Sequence, residues 1–212
     1  LFAEGFKAVF LAMGAHESWR LELEGEDLEG VYPSIQFLKA FNLRGEELAY
    51  GRVGIVGGGN SAVDAARVAL RQKKVTSVTL LYRRTRDEMP AYEEEVEAAL
   101  EEGVTIETLV SPVKIHVRQE EIEAALREGV TLETLVSPVQ ICEREGRLVG
   151  IRCVRNRLGE LDASGRRKPV PVPGTEFTLP LDTLIVAIGE RPQSECLAAM
   201  GLDVDKSGRV KV

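Results

Sequence analysis

Apolar segments of strand length alternate along the chain with segments of helical spacing. Residues 52–56 (RVGIV) are apolar enough for a buried parallel strand, and residues 77–82 (SVTLLY) and 184–188 (LIVAI) have the same character. Residues 61–70 have the small-residue spacing of a helix that packs closely on a sheet. This order of strand, helix and strand predicts an α/β domain built on a parallel sheet.

The first of these strands leads directly into three glycines. Gly57-x-Gly59-x-x-Ala62 fits the dinucleotide-binding fingerprint, with alanine as the third small residue. Gly57 would permit a tight turn, Gly59 would let the backbone approach a pyrophosphate, and Ala62 would keep helix and strand close. Asn60 and Ser61 stand where the helix begins, so backbone N–H groups would face the phosphates. The motif alone also fits a glycine-rich turn in any α/β protein.

Two arginines follow the second strand of this motif. An NAD site would place a carboxylate there to bind the ribose 2'-hydroxyl, whereas this chain has Arg83 and Arg84. Guanidinium groups make bidentate, charge-assisted contacts with phosphate oxygens, and a carboxylate would repel the same group. The pair therefore predicts a preference for NADP(H), the alternative being that it begins a solvated loop.

Composition and charge narrow the possible functions. The 212 residues carry a formal net charge of -7, which argues against a general nucleic-acid surface. The three cysteines form no C-x-x-C pair, so a redox dithiol has no basis in the sequence and a reducing, cytoplasmic compartment is expected. No apolar run approaches the ~18 residues of a membrane span. No residues are spaced as a metal-ligand set, so we expect no metal site.

The longer motifs resemble one family. Residues 53–70 (VGIVGGGNSAVDAARVAL), 78–91 (VTLLYRRTRDEMPA) and 182–192 (DTLIVAIGERP) are similar to the pyridine-nucleotide domain of glutamate synthase small-subunit-like, FAD-dependent NAD(P)H oxidoreductases. The resemblance places the chain in the pyridine nucleotide-disulfide oxidoreductase superfamily. It implies a Rossmann-like three-layer nucleotide-binding domain with a parallel sheet and an antiparallel β-meander, flanked by partial FAD-domain segments.

The same resemblance implies how the chain is divided. Residues 1–48 would be the carboxyl end of a first FAD-domain segment with the crossover, residues 49–190 the NAD(P)H-binding domain, and residues 191–212 the start of the returning FAD-domain segment. Strand patterns in residues 8–12 and 208–212, at the two ends, lead us to expect a piece of a longer chain. The FAD-binding motif and the iron–sulfur clusters of the family are expected outside these residues. We therefore expect this chain to hold NADP(H) but not FAD.

The resemblance also implies which residues bind the cofactor. The pyrophosphate and ribose would lie at the glycine turn, the 2'-phosphate at the arginines, and the nicotinamide half at the glycine that follows the third strand. The implied residues are Gly57, Gly58, Gly59, Asn60, Ser61, Ala62, Arg83, Arg84 and Gly189. A glycine at the end of a strand also has a purely structural explanation, which stays open for Gly189. We expect no catalytic side chain, because hydride transfer from nicotinamide to flavin needs no acid or base.

The implied function is that of an enzyme. By resemblance, the chain is the NADPH-binding portion of a flavin-dependent oxidoreductase that passes hydride from NAD(P)H to FAD, as in the glutamate synthase small subunit, and a redox partner subunit receives the electrons. The alternative is a non-catalytic NADP(H)-binding module, or a structural subunit of a larger electron-transfer complex.

One feature is unexpected in that family. Residues 94–115 recur as residues 120–141 at an offset of 26, and 18 of the 22 aligned pairs are identical. Each copy has the pattern of a helix, a glycine stop and a strand, the unit that adds an edge strand to a parallel sheet. One copy is therefore surplus, and the sequence leaves open which copy fills the edge position. We expect the spare copy to dock beyond that edge rather than loop out, because looping out would expose large apolar side chains.

Overall fold

The structure, a computed structural model, describes residues 2–8, 10, 14–85, 88–89, 130–163, 165–192, 194–199, 201 and 203–205. Two compact units make up the chain. The larger unit is Ser18–Gly189, and the smaller combines Leu1–Glu17 with Glu190–Val212. The glycine turn and both arginines belong to the larger unit. The assignment of residues 1–48 and 191–212 to FAD-domain segments stays a prediction.

Strands dominate the described elements. In chain order the strands are β1 (Glu17–Ser18), β2 (Val31–Pro33), β3 (Gly51–Val56), β4 (Val75–Tyr82), β5 (Val130–Thr134), β6 (Val136–Arg144), β7 (Arg147–Leu161), β8 (Arg167–Pro171), β9 (Phe177–Pro180), β10 (Thr183–Val186) and β11 (Glu190–Arg191). The α-helices are α1 (Ser34–Arg44), α2 (Asn60–Leu70) and α3 (Ser194–Ala199), and a 3-10 turn spans Phe2–Glu4. The strands predicted for residues 8–12 and 208–212 fall largely on residues outside the described part.

A five-stranded parallel sheet forms the middle of the larger unit. Its strand order is β2-β10-β3-β4-β5, and every neighbouring pair is parallel. Ile55 of β3 lies between Ile185 of β10 and Leu80 of β4, and all three side chains are buried. Strands covered on both faces need continuous apolar runs, which explains why their sequences lack a polar alternation. The predicted parallel sheet is confirmed.

Helices cover one face of the parallel sheet. Val53 and Ile55 point to this face because alternate residues of a strand point the same way. Helix α2 packs Ala62, Ala66 and Ala69 into the same cluster, with each side chain at most 3% exposed. Because alanine is short, the helix axis approaches the sheet closely, as the small-residue spacing of residues 61–70 predicts.

An antiparallel meander covers the other face. Strand β7 pairs with β6, β8 and β9, always antiparallel. Ile141 and Ile151 of the meander form one buried cluster with Val56, Leu81 and Leu184 of the parallel sheet. The larger unit is therefore a three-layer structure of helices, parallel sheet and meander, which confirms the predicted fold class.

The second copy of the repeat supplies the edge of the parallel sheet. Its strand is β5, which pairs with β4 in the register Leu80 to Leu132. The chain then turns at Leu135, whose φ of 55° is left-handed, and continues as β6. The first copy, residues 94–115, and the predicted helix of the second copy, residues 120–129, lie outside the described residues. Whether the spare copy docks beyond the edge stays a prediction.

Deleting either copy should leave a folded protein. Removal of residues 94–119 leaves β5 in place, and removal of residues 119–144 leaves a first copy that can supply the same strand, since 18 of 22 residues match. Both shortened chains should show cooperative thermal unfolding and bind NADPH with unchanged affinity by calorimetry. If the chain without residues 94–119 aggregates or loses NADPH binding, the first copy is an integral part of the domain.

Candidate functional site

The turn between β3 and α2 approaches its neighbours closely. Gly57 has a φ of 150°, and a Cβ added there would lie 2.1 Å from the carbonyl oxygen of Ala187 and 3.1 Å from the Cβ of Ala62. Its N–H donates to the carbonyl of Leu81 at 3.1 Å. The turn is thus confined by the backbone of both neighbouring strands, which only a residue without a side chain permits.

Gly58 lies against an aromatic ring. A Cβ added at Gly58 would lie 2.5 Å from Cδ2 of Tyr82, which is 6% exposed. The Tyr82 hydroxyl donates to the carbonyl of Glu88 at 2.8 Å. The ring is therefore restrained by this hydrogen bond as well as by its packing against Gly58. Sequence reasoning missed Tyr82 as a support of the turn, because its position in an apolar strand indicates only a core residue.

Helix α2 begins without a side-chain cap. Its N-cap is Gly59, in an extended conformation, and the Gly59 carbonyl accepts from the N–H groups of Ala62 at 2.9 Å and Val63 at 3.2 Å. Asn60 and Ser61, the first residues of the helix, are half-buried. The N-terminal end of the helix dipole therefore meets the glycine turn, and such an end favours anions.

The arginine pair divides into one exposed and one buried residue. Arg83 is exposed, while its carbonyl accepts from Nδ2 of the buried Asn156 at 3.1 Å. That bond restrains the backbone at Arg83. Arg83 therefore offers an exposed cation at the end of β4.

Arg84 is engaged with the meander. Its Nη2 donates to Oδ2 of Asp162 at 2.7 Å and its Nε to the carbonyl of Arg167 at 2.8 Å. The two side chains of this ion pair are 5% and 20% exposed. The sequence gives no sign of this contact, because the partners are 78 positions apart and meet only through the layering of the two sheets.

Gly189 also has a backbone that favours glycine. Its φ is 120°, and a Cβ added there would lie 3.4 Å from Cδ1 of Trp19. Its carbonyl accepts from the Trp19 N–H at 2.9 Å. The position thus has a structural requirement for glycine, and its role at the nicotinamide stays a prediction.

The two cysteines whose side chains the structure describes are not paired in a disulfide. Cys142 and Cys153 are free thiols, and burial raises the pKa of Cys153 to about 12. Within the described residues no group of His, Cys, Asp and Glu is arranged to hold a metal ion. None of the described helices combines the length and the hydropathy that crossing a membrane requires.

Comparison with known proteins assigns the family. Residues 3–212 match the family described as pyridine nucleotide-disulphide oxidoreductase, and the chain belongs to it. The predicted resemblance is thereby confirmed.

The chain is similar to parts of longer proteins. The beta subunit of the NADP(+)-dependent formate dehydrogenase of Moorella thermoacetica is 41% identical over 210 residues, covering 98% of this chain and 26% of that protein. The small chain of the NADPH glutamate synthase of Escherichia coli strain K12 is 34% identical over 219 residues, covering 97% of this chain and 40% of that protein. The chain thus spans between about a quarter and two fifths of the length of these relatives.

A solved structure shares the fold. FprA of Mycobacterium tuberculosis, determined in complex with NADPH, matches 100% of this chain and 55% of its own with a TM-score of 0.77 at 23% sequence identity. At that identity the likeness concerns the fold alone, and it agrees with the Rossmann-like architecture.

Proposed function

We propose that this chain is the NADPH-binding portion of a flavin-dependent oxidoreductase that passes hydride from NADPH to FAD. The observation that carries the proposal is the glycine turn at the N-terminus of α2, with the exposed Arg83 at the end of the adjacent strand β4. The names of two relatives, an NADP(+)-dependent formate dehydrogenase and an NADPH glutamate synthase, support the same cofactor.

The glycine turn suits a pyrophosphate. A side chain at Gly57 or Gly58 would occupy space that the Ala187 backbone and the Tyr82 ring already fill, so the turn requires glycine at both positions. Backbone N–H groups at a helix start donate to phosphate oxygens, and the helix dipole adds a partial positive charge. We assign the pyrophosphate and the adjoining ribose to residues 57–61, with Ala62 keeping α2 close to β3.

The end of β4 suits a 2'-phosphate. The dinucleotide fold places the adenosine ribose beside the end of the second strand, where Arg83 and Arg84 stand. Arg83 has a solvent-facing guanidinium that can form a bidentate contact with phosphate oxygens. We assign the 2'-phosphate to this pair and therefore expect NADPH to be preferred over NADH.

The chemistry of the transfer belongs to the cofactors, and this chain's own residues bind and orient the nucleotide. We assign the nicotinamide half to the region of Gly189, where β10 ends, and no side chain is given an acid or base role. In the described part of the chain, a glycine turn links a strand to a helix once, at residues 57–62. We assign this turn to NADPH. No residue of this chain is therefore assigned to the flavin.

The whole protein is proposed to work with a redox partner subunit in the cytoplasm. One relative is named as the beta subunit of a larger enzyme, which supports the partner. The free thiols Cys142 and Cys153 suit a reducing compartment. The alternative, a non-catalytic NADP(H)-binding module, keeps the same site and lacks turnover.

Calorimetric titration of the chain with NADPH and with NADH tests the proposal. We expect NADPH to bind at least about tenfold more tightly, since each charge-assisted contact with the 2'-phosphate contributes roughly 1.5–3 kcal/mol. Equal affinities, or no binding, would contradict it. Anaerobic mixing of the full-length protein with NADPH distinguishes an enzyme from a non-catalytic binding module, because only an enzyme would lose its oxidised-flavin absorption.

Trp19, the single tryptophan, can report the position of the nicotinamide. Because it lies next to Gly189, saturating NADPH should quench its emission through energy transfer to the reduced nicotinamide. Saturating adenosine 2',5'-bisphosphate, which lacks nicotinamide, should leave the emission nearly unaltered, and Trp19→Phe should abolish the signal. Emission that NADPH does not alter would place the nicotinamide away from Gly189.

A further inference from the structure

The segment that follows β4 is held by two of its backbone carbonyls. The Arg83 carbonyl accepts from Nδ2 of Asn156 at 3.1 Å, and the Arg84 carbonyl accepts from the Leu135 N–H at 3.0 Å. The two donor residues are themselves joined, because the Asn156 N–H donates to the Leu135 carbonyl at 2.5 Å. Residues 83 and 84 are thus fastened to β7 and to the residue that separates β5 from β6.

The amide of Asn156 bridges two acceptors. Besides the Arg83 carbonyl, Nδ2 donates to the Ser137 hydroxyl oxygen at 2.9 Å. A peptide carbonyl has no proton to donate, so the nitrogen of the amide must face Arg83, and the orientation of the side chain is determined. Asn156 is 6% exposed, and hydrogen bonds away from water are electrostatically stronger. The amide therefore restrains the backbone at Arg83.

Both residues that hold this segment lower the stability of the fold. Oδ1 of Asn156 is buried and has no hydrogen-bond partner in the described part of the chain, and burying an unpaired oxygen costs free energy. Leu135 has a φ of 55°, a left-handed conformation that is strained for a residue with a Cβ. An apolar residue at position 156 and a glycine at position 135 would avoid these costs. Such costs concentrate at functional sites, so a function is expected for the segment that the two residues hold.

Arg83 is the residue of this segment that is exposed, since Arg84 is buried. An arginine side chain loses conformational freedom when it contacts a ligand, and a mobile backbone would add a loss of its own. With its carbonyl restrained, Arg83 has chiefly side-chain freedom to lose. The hydrogen bond from Asn156 thus strengthens a contact that the Arg83 guanidinium makes, although Asn156 does not contact the ligand itself.

We propose that Asn156 is a positioning residue for cofactor choice, which holds Arg83 where its guanidinium reaches the 2'-phosphate of NADPH. The inference rests on the proposed function, since it names a residue outside the glycine turn that determines how strongly the same site prefers NADPH over NADH. It gives the meander a role in that preference: β7 carries the amide, and β6 carries the hydroxyl that orients it.

The first test replaces the amide. Asn156→Leu keeps the branch at Cγ and removes the donor. We expect the ratio of NADPH to NADH affinity, measured by calorimetry, to fall about fivefold, because part of one charge-assisted contact is lost. NADH affinity should not change, since NADH lacks the 2'-phosphate. The fall should not exceed that of Arg83→Gln, because Asn156 acts only through Arg83.

The matched control is Asn42→Leu. Asn42 is exposed near the end of α1, a helix that starts where β2 ends and therefore runs back to the other edge of the parallel sheet. This variant makes the same chemical change away from the end of β4, so both affinities should stay unaltered.

The second test changes the hydroxyl that orients the amide. Ser137→Ala removes the second acceptor of Nδ2 and should lower the affinity ratio about twofold, since one neutral hydrogen bond is lost. Ser137→Thr keeps a hydroxyl at the same position and should keep the ratio of the unchanged chain. An effect of packing alone would make threonine, with its extra methyl group, at least as disruptive as alanine.

A double change tests whether Asn156 acts through Arg83. In a chain that already carries Arg83→Gln, Asn156→Leu should leave the affinity ratio unaltered, since both changes act on one contact. If the ratio falls in this chain as well, Asn156 does not act by positioning Arg83, and the inference is overturned. Equal losses of NADPH and NADH affinity overturn it too, because they indicate a purely structural role.

Failure of this inference is distinguishable from failure of the proposed function. If the unchanged chain does not prefer NADPH, the proposed function fails. If it prefers NADPH, and Arg83→Gln reduces that preference while Asn156→Leu does not, the proposed function stands and the positioning role is overturned. If Asn156→Leu does not fold, as judged by circular dichroism, the Ser137 variants decide alone: equal ratios in Ser137→Ala and Ser137→Thr would contradict the inference.

Discussion

Replacing Gly57 by alanine is expected to destabilise the chain by about 3 kcal/mol or more and to abolish NADPH binding. The added Cβ would lie 2.1 Å from the carbonyl oxygen of Ala187, at a backbone φ of 150°. That carbonyl follows β10, which pairs with β3, so relief requires two strands to separate rather than one side chain to move. Separation would also move α2, because Gly57 lies against Ala62 at its start.

Gly174→Ala is the matched control for this change. Gly174 has a φ of 77°, and a Cβ added there would meet nothing within 4 Å. This variant should lose only the backbone preference of glycine, about 1 kcal/mol, and should bind NADPH with unchanged affinity. Urea unfolding and calorimetry of both variants provide the comparison. A Gly57→Ala protein that keeps its stability and binds NADPH would show that the neighbouring strands do not confine the turn.

The sequence could predict this turn because its constraints are local. A glycine at the end of a buried strand, a second glycine before a helix and an alanine one turn later have few structural solutions, and the observed turn has that form. The apolar runs likewise predicted the parallel sheet, since strands covered on both faces cannot contain many polar residues. Observed ends differ by a residue or two, as for the predicted strand 184–188, which ends at Val186.

Contacts between the layers could not be predicted in this way. Asp162 follows the end of β7 and is one of many acids in the chain; nothing in its neighbourhood indicates that it pairs with Arg84. Arg84 is buried where it makes this contact, whereas the preceding residue, Arg83, is exposed. A sequence motif names both arginines, and only the fold shows that one is exposed and the other buried.

The repeat presents a different difficulty. Two copies that are identical at 18 of 22 positions offer nearly the same strand to the same edge of the sheet. Local sequence patterns therefore predict the same edge strand from either copy. The structure uses the second copy, which continues into β6 after only Leu135, so sheet and meander are joined by a single residue. Such a connection is short, as connections between adjacent elements usually are.

Arg83→Glu should convert the cofactor preference of the chain. We expect NADPH binding to weaken by about 2–3 kcal/mol, or roughly 30- to 150-fold, because the change removes a charge-assisted contact and places a negative charge next to the 2'-phosphate. NADH should bind as before or slightly more tightly, since a carboxylate at the end of the second strand can accept from the ribose 2'-hydroxyl. The Arg83 side chain is exposed, so the fold should be unaffected.

The control for Arg83→Glu is Arg147→Glu, the same charge reversal at the start of β7. Both variants change the net charge by the same amount, so a general electrostatic effect on an anionic ligand would appear in both. The effect of losing a direct contact with the 2'-phosphate would appear only in the Arg83 variant. The loss should also decrease as salt is raised from about 0.01 M to 0.15 M, because shortening the Debye length from about 30 to 8 Å screens an exposed ion pair. Equal losses for NADPH and NADH would mean that Arg83 does not contact the 2'-phosphate.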